Sequence, residues 1–347
     1  MKIRVLITDD SLFMRAAIKK LLERDGRFEI LGEARDGREA VEKVRALRPD
    51  VCTMDFNMPV LDGVSAVREI MHLSPTPVVM LSAHTKEGAK ETIDALREGA
   101  VDFVTKPSGE VSAELGEVAP TLIAKLLAAA QARPVAGAPE TTPLPPARSV
   151  SGLRAAIVPS TVIGHRVAVI AISTGGPAAL GRFLPSLPAT AQLALVIVQH
   201  LPAGFTAPLA ERLDGLSQFR VREAADGDRP EPGLALIAPG DFHVDLYPDG
   251  RLHVFTGPEV NGVRPAADVT MRAAARVFGR RAVGVVMTGM GRDGADGIRA
   301  IKEAGGATLV QDQATSVIYG MPRAAVETGC VDKSLPLERL AEALTHL

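Results

Sequence analysis

Apolar residues along this chain come in short runs that stop abruptly at polar ones. Runs at Arg4–Thr8, Val51–Met54, Val78–Leu81 and Phe103–Thr105 have strand length. They end at Asp9 and Asp10, at Asp55, at Ser82 and at Lys106. After the first run, Ser11 is placed to cap a helix whose Phe13, Ala17 and Leu21 share a face, and Gly26 stops it. Beyond about Gly164 the alternation returns. Strands are predicted at Val167–Ile172, Leu193–Gln199, Leu234–Ala238, Val283–Met287 and Ala307–Gln311. Helical periodicity lies between them at about Ala178–Leu187, Pro208–Leu213, Asp268–Phe278 and Gly294–Ala304. Strand–helix alternation of this kind predicts two α/β domains with mostly parallel sheets. Phe242–Tyr247 and Leu252–Thr256, joined by Pro-Asp-Gly, predict a β-hairpin in the second.

Between the two patterned regions the texture changes. The stretch AAAQARPVAGAPETTPLPPARSV is rich in Ala and Pro and too poor in large apolar residues to build a core. The chain therefore divides into a first domain at 1–125, a linker at 126–163 and a second domain at 164–347, with the last helix of the first domain near Glu117–Ala130. With 347 residues and 46% hydrophobic content, two globular cores are affordable. Net charge is −2 with no Lys/Arg-rich run, Trp is absent and aromatics are 3%, so nucleic acid is not an expected partner. Apolar runs stay far short of a membrane span, and Met1-Lys2 leads straight into a strand, so neither membrane insertion nor a signal peptide is expected. Cys52 and Cys330 fall in different domains and read as packing residues, in keeping with a reducing cytoplasm.

In an open parallel sheet the strand C-termini converge on one edge, where ligands bind. That places three carboxylates, a hydroxyl and an ammonium together at the first sheet. Crowded carboxylates repel unless a hard cation neutralises them, and an all-oxygen set suits Mg²⁺. Asp55, alone at its strand end, is free to act as a nucleophile toward a phosphoryl group. Taken singly, Asp9 and Asp10 read equally well as turn or cap residues, and Phe103 as an ordinary core aromatic. The segments VLITDDSLFMR, DVCTMDFNMPVLDGV, PVVMLSAHT and GAVDFVTKP resemble a response-regulator receiver domain. That resemblance implies a flavodoxin-like five-stranded parallel sheet with helices on both faces, and a histidine kinase that phosphorylates Asp55. It also implies Mg²⁺ on Asp9, Asp10, Asp55 and the backbone carbonyl of Asn57. Ser82, Phe103 and Lys106 match the switch positions, and Lys106–Pro107 a peptide that is usually cis.

In the second domain VAVIAI runs into Ser173-Thr174-Gly175-Gly176-Pro177, a tight strand-to-helix turn with proline at a first helical position. LALVIVQ ends at His200, and AVGVVMTGMG runs into Arg292-Asp293-Gly294. A serine hydroxyl needs a base, and the base an orienting carboxylate, to perform acyl transfer. Ser173, His200 and Asp293 supply that set, in a chain order that unrelated folds leave open. Each has a plainer reading as helix cap or core histidine. A dinucleotide site fits worse, because STGGP is not the G-x-G-x-x-G turn. The segments AISTGGPAAL, VIVQHLP, APGDFHV, PAADVTMRAAA, VVMTGMGRDGADG and QDQATSVIYGMPRAAVETG resemble the catalytic domain of the chemotaxis protein-glutamate methylesterases. The resemblance implies a doubly wound α/β/α domain with Ser173 as nucleophile, His200 as base and then acid, and Asp293 as orienting carboxylate. It implies an oxyanion contact from the Met290 N–H, with Thr174 and Gly289 lining the site. Ile172 departs from the family, which more often has a small residue there.

Both resemblances together imply a phosphorylation-activated serine hydrolase that needs no cofactor for ester hydrolysis. Its substrates would be glutamyl methyl esters of methyl-accepting chemotaxis receptors, yielding glutamate and methanol, with receptor glutamine deamidation as a second activity. A phosphorylation-controlled scaffold, or the same esterase in another signalling pathway, stays open. His243 and His253 flank the hairpin turn and read as residues of a solvent-exposed hairpin rather than zinc ligands. The scattered methionines read as core filling.

Overall fold

The computed structural model describes residues 2–82, 86–106, 112–132 and 164–347, the side chains of 86, 87 and 112–117 excepted. The chain divides into two compact units. In the first, β1 (Ile3–Thr8), β2 (Phe28–Ala34), β3 (Val51–Asp55), β4 (Val78–Ser82) and β5 (Asp102–Thr105) form one sheet in the order β2-β1-β3-β4-β5. Every pairing is parallel. The helices are α1 (Leu12–Asp25), α2 (Gly37–Leu47), α3 (Gly63–Leu73), α4 (Lys86–Glu98) and α5 (Ser112–Ala129).

Ser11 caps α1 by accepting from the Met14 N–H at 3.3 Å, and Gly26 ends it at φ +77°. Such a cap contributes about 1 kcal/mol. The face expected to be buried is displaced: Ile18 and Leu22 enter the core, while Phe13 is 52% exposed. Two rows of apolar residues with i,i+4 spacing lie side by side on this helix, and spacing alone does not say which row meets the sheet. At the other end of the unit, α5 runs past the expected linker start at 126, because Leu126 and Ala129 are fully buried in the core. Residues 133–163, most of the predicted linker, lie outside the described residues, as does Pro107.

The second unit carries β6 (Arg166–Ile172), β7 (Leu193–Gln199), β8 (Arg220–Glu223), β9 (Leu234–Ile237), β10 (His243–Leu246), β11 (Leu252–Phe255), β12 (Ala282–Val286), β13 (Ala307–Gln311) and β14 (Lys333–Leu335). Its helices are α6 (Gly176–Phe183), α7 (Thr206–Leu216), α8 (Ala267–Phe278), α9 (Ala295–Glu303), α10 (Met321–Glu327) and α11 (Leu337–Thr345). Seven strands form one all-parallel sheet, β14-β13-β12-β6-β7-β9-β8. Val169, Ala171, Val196, Val198 and Val286 from its central strands pack with Met271 and Ile298 in one core.

The predicted hairpin is present as the antiparallel pair β10–β11. It lies on α8, where the Thr270 hydroxyl donates to the Val244 carbonyl and Arg276 reaches Asp245. His243 is therefore buried rather than solvent-exposed. Its Nδ1 accepts from the Ala266 N–H at 3.2 Å, and its Nε2 lies 2.9 Å from the Pro258 carbonyl. His253, on the outer strand, remains exposed beside Asp226.

Candidate functional site

In the first unit, strands β1, β3 and β5 deliver their terminal residues to one pocket. Carboxylate oxygens of Asp9, Asp10 and Asp55 lie within 4.8 Å of one another. Lys106 Nζ sits 2.8 Å from both Asp9 Oδ2 and Asp55 Oδ1. Burial pushes the Asp55 carboxyl up, Lys106 opposes this and Asp9 adds to it, leaving it above the ordinary range. Burial works against the Lys106 ammonium, but Asp55 and Asp9 together hold it above its ordinary value. This carboxylate crowd, oxygen-only and partly buried, fits a hard divalent cation. Ser82 is buried with its hydroxyl 2.7 Å from that of Thr92 on α4. The Phe103 ring is already buried, with Lys125 Nζ 5.0 Å from its centroid.

In the second unit, the chain leaves β6 first toward β7 and later returns on its other side as β12. β6 is thus the topological switch point, where crevices open at strand C-termini in sheets of this kind. The last paired residues of β6 and β7 are Ile172 and Gln199, so Ser173 and His200 leave the sheet side by side. The His200 N–H donates to the Ile172 carbonyl at 3.0 Å, and the Ser173 N–H to the Thr288 carbonyl at 3.0 Å. Ser173 is held between the two neighbouring strands. Gly175 then turns at φ +77°, and the Gly176 N–H returns to the Ser173 carbonyl at 2.8 Å. A Cβ at Gly176 would lie 2.0 Å from Gln199 Oε1, so only glycine opens α6 here. Ile172 is fully buried and packs toward Gly176, so its bulk is absorbed behind the turn.

Asp293 follows β12 in a loop where Gly291 and Gly294 adopt φ near +91° and +93°. Its Oδ2 lies 2.8 Å from His200 Nε2 and accepts from the Ala267 N–H at 2.6 Å. Its Oδ1 accepts from the Asp268 N–H at 3.1 Å and from Asn261 Nδ2 at 3.2 Å. Burial pushes this carboxyl up, but His200 and the two α8 N–H groups outweigh burial and hold it below the ordinary range. Gly289 backs Ser173 closely: a Cβ there would stand 2.8 Å from Ser173 Cβ. The Gly289 N–H is engaged by the Ile318 carbonyl, whereas the Met290 N–H has no partner among the described residues. Thr174 is buried, and its carbonyl accepts from the Thr288 hydroxyl at 2.9 Å.

Several residues that shape this edge were given no role in the sequence reading. Gln199 donates from Nε2 to the Ser173 carbonyl at 3.0 Å. Gln311 accepts from the Thr288 N–H at 2.9 Å. Both are glutamines closing apolar strands, a signal visible in the sequence once the strands are drawn. Asp268, Asn261 and His243 reach the site only through the folded path between the hairpin and α8.

Residues 168–344 match the family described as CheB methylesterase, and residues 5–114 the response regulator receiver domain. A protein-glutamate methylesterase/protein-glutamine glutaminase of Symbiobacterium thermophilum is 47% identical over 99% of this chain and 96% of its own length. One of Pyrococcus abyssi with the same name is also 47% identical, over 99% of this chain and 93% of its own. The Thermotoga maritima CheB methylesterase catalytic domain, a crystal structure, is 40% identical with a TM-score of 0.51, covering 53% of this chain and 99% of that one.

Proposed function

This chain belongs to the CheB methylesterase family, with a receiver domain in front of the esterase domain, and we propose that it hydrolyses receptor glutamyl methyl esters by serine acyl transfer. The observation that carries the mechanism is the His200–Asp293 contact of 2.8 Å beside Ser173 at the sheet's switch point. With Nε2 committed to Asp293, the other ring nitrogen of His200 is the one left to take the Ser173 proton. Ser173 Oγ attacks the ester carbonyl, and the oxyanion that forms is met by the unengaged Met290 N–H. His200 then protonates the methoxide as it leaves, giving methanol and an acyl-enzyme. Water, activated by the same imidazole, attacks the acyl-enzyme to release glutamate and Ser173. A primary amide follows the same course with ammonia as the leaving group, so deamidation of receptor glutamines is the second activity.

The substrates in this reading are the methyl-accepting chemoreceptors, and the phosphodonor is a chemotaxis histidine kinase. Asp55 takes the phosphoryl group. Asp9, Asp10, Asp55 and the Asn57 carbonyl would hold Mg²⁺, whose charge offsets the repulsion between these carboxylates and phosphoryl oxygens. Lys106 pairs with the phosphorylated product, and Ser82 exchanges its Thr92 contact for a phosphoryl oxygen.

Full-length protein acting on methylated receptor tests the reading. Ser173→Ala and His200→Ala should each lower methanol and ammonia release by several orders of magnitude. Turnover of Ser173→Ala within about tenfold of wild type would remove serine from the mechanism. A wild-type protein with no hydrolysis would leave a scaffold instead.

A further inference from the structure

We propose that Asn261 is a positioning residue for this hydrolysis, its side-chain amide holding the Asp293 carboxylate in the orientation that engages His200 and keeping it apart from Asp268. The inference rests on the Ser173–His200–Asp293 reading above. Val260 and Val263 exchange both backbone hydrogen bonds at 3.1 Å, enclosing a two-residue turn. Asn261 and Gly262 take φ +56° and +74°, the two positive values of a type I′ turn, for which Asn-Gly is the favoured pair. The turn is exposed, yet its amide points inward. Nδ2 lies 2.8 Å from Asp268 Oδ2 and 3.2 Å from Asp293 Oδ1. With carboxylates on both sides, the nitrogen rather than the oxygen must face them.

The need for such a group follows from the charges around it. Asp268 is 1% and Asp293 2% exposed. Burial and the neighbouring Asp293 push the Asp268 carboxyl above its ordinary range. From the β12–α9 loop and α9, the Gly294 and Gly297 N–H groups donate to Asp268 Oδ1 at 3.0 and 2.7 Å. From α8, the Ala267 and Asp268 N–H groups serve Asp293, and Arg272, itself 3.3 Å from Asp296, acts on Asp268 at longer range. His200 faces Asp293 from the end of β7, and His243 on β10 fixes the α8 N-terminus through Ala266. None of these groups donates to both carboxylates from a side chain. Asn261 does, and its two amide hydrogens match the two acceptors. Without it, Asp293 Oδ1 keeps only the Asp268 N–H, and the repulsion between two buried carboxylates is left to tilt Asp293 away from His200.

The test uses full-length enzyme and methylated receptor. Asn261→Gly keeps the positive-φ turn and removes only the amide. Asn261→Asp keeps the shape and exchanges the donor for a carboxylate. Asn261→Gly should lower kcat by about tenfold to a hundredfold with KM within about twofold of wild type. Asn261→Asp, which sets a third carboxylate beside Asp268 and Asp293, should lower kcat further with KM again close to wild type. A kcat like wild type in both variants, or a loss confined to KM, overturns the proposal. Ser173→Ala in the same assay separates the two levels. If it is inactive while Asn261→Gly is unchanged, positioning alone fails; if it stays active, the serine mechanism fails with it.

Discussion

Asp293 gathers one imidazole, two backbone N–H groups and one side-chain amide on its two oxygens. Those donors favour the ionised form strongly enough to overcome burial, so the carboxyl is depressed in the folded state. The sign for stability follows directly. A depressed carboxyl contributes stability that is fully present above its unfolded value near about 3.9 and is lost as pH falls through the folded value. Asp293→Asn should therefore unfold at lower denaturant than wild type at pH 7, and the gap should close as pH drops below about 4. A gap that widens in acid would contradict the assignment of these donors. Asp268, a few ångströms away, is shifted the opposite way by burial and by Asp293 itself. At this scale the meeting of Ser173, His200 and Asp293 at one edge was legible because the first two end apolar runs and Asp293 lies in the glycine-rich loop that follows a third. Asn261 and Asp268 were not, since the Asn-Gly pair announces only a turn, and which groups the turn reaches is decided by packing against α8.

At the scale of elements, the close approach of three strand ends imposes its own residue choices. A methyl group at Gly289 would meet Met321 Sδ at 2.3 Å and Ser173 Cβ at 2.8 Å. Gly289→Ala should therefore displace Ser173 and cost about a hundredfold in kcat/KM while phosphorylation of the receiver is unaffected. Wild-type esterase kinetics in that variant would show that the Ser173 backbone needs no such close support. The long central strands were readable from continuous apolar runs, as is usual where both faces of a parallel sheet are covered. The edge strands β8 and β14 escaped, because Arg-Val-Arg-Glu and Lys-Ser-Leu are short and carry charges that suit an exposed edge. Helices α10 and α11 escaped with them: α10 lies in a stretch where the resemblance had pointed to motif rather than to periodicity, and α11 follows beyond the last predicted strand. In α1 the error was one of rotation, because Phe13, Ala17, Leu21 and Ile18, Leu22 form adjacent rows.

For the molecule as a whole, one chain joins a phosphoacceptor unit to a hydrolase unit, and the family to which it belongs couples the two. In the proposed reading, a phosphoryl group on Asp55 would change the charge and hydrogen bonding there, beside Lys106 at 2.8 Å. A shift of a few kcal/mol between two states is sufficient to gate a site. A truncated chain beginning near residue 164, freed of the receiver, should accordingly hydrolyse ester faster than the unphosphorylated full-length protein. The most direct measurement is the initial rate of methanol release from methylated receptor, with and without a small-molecule phosphodonor and Mg²⁺, for wild type, Asp55→Asn and Ser173→Ala. The account predicts a rate that rises with phosphodonor in wild type, stays at its basal level in Asp55→Asn because an amide cannot accept the phosphoryl group, and is lost in Ser173→Ala. Equal stimulation of Asp55→Asn, or sustained release by Ser173→Ala, would contradict it.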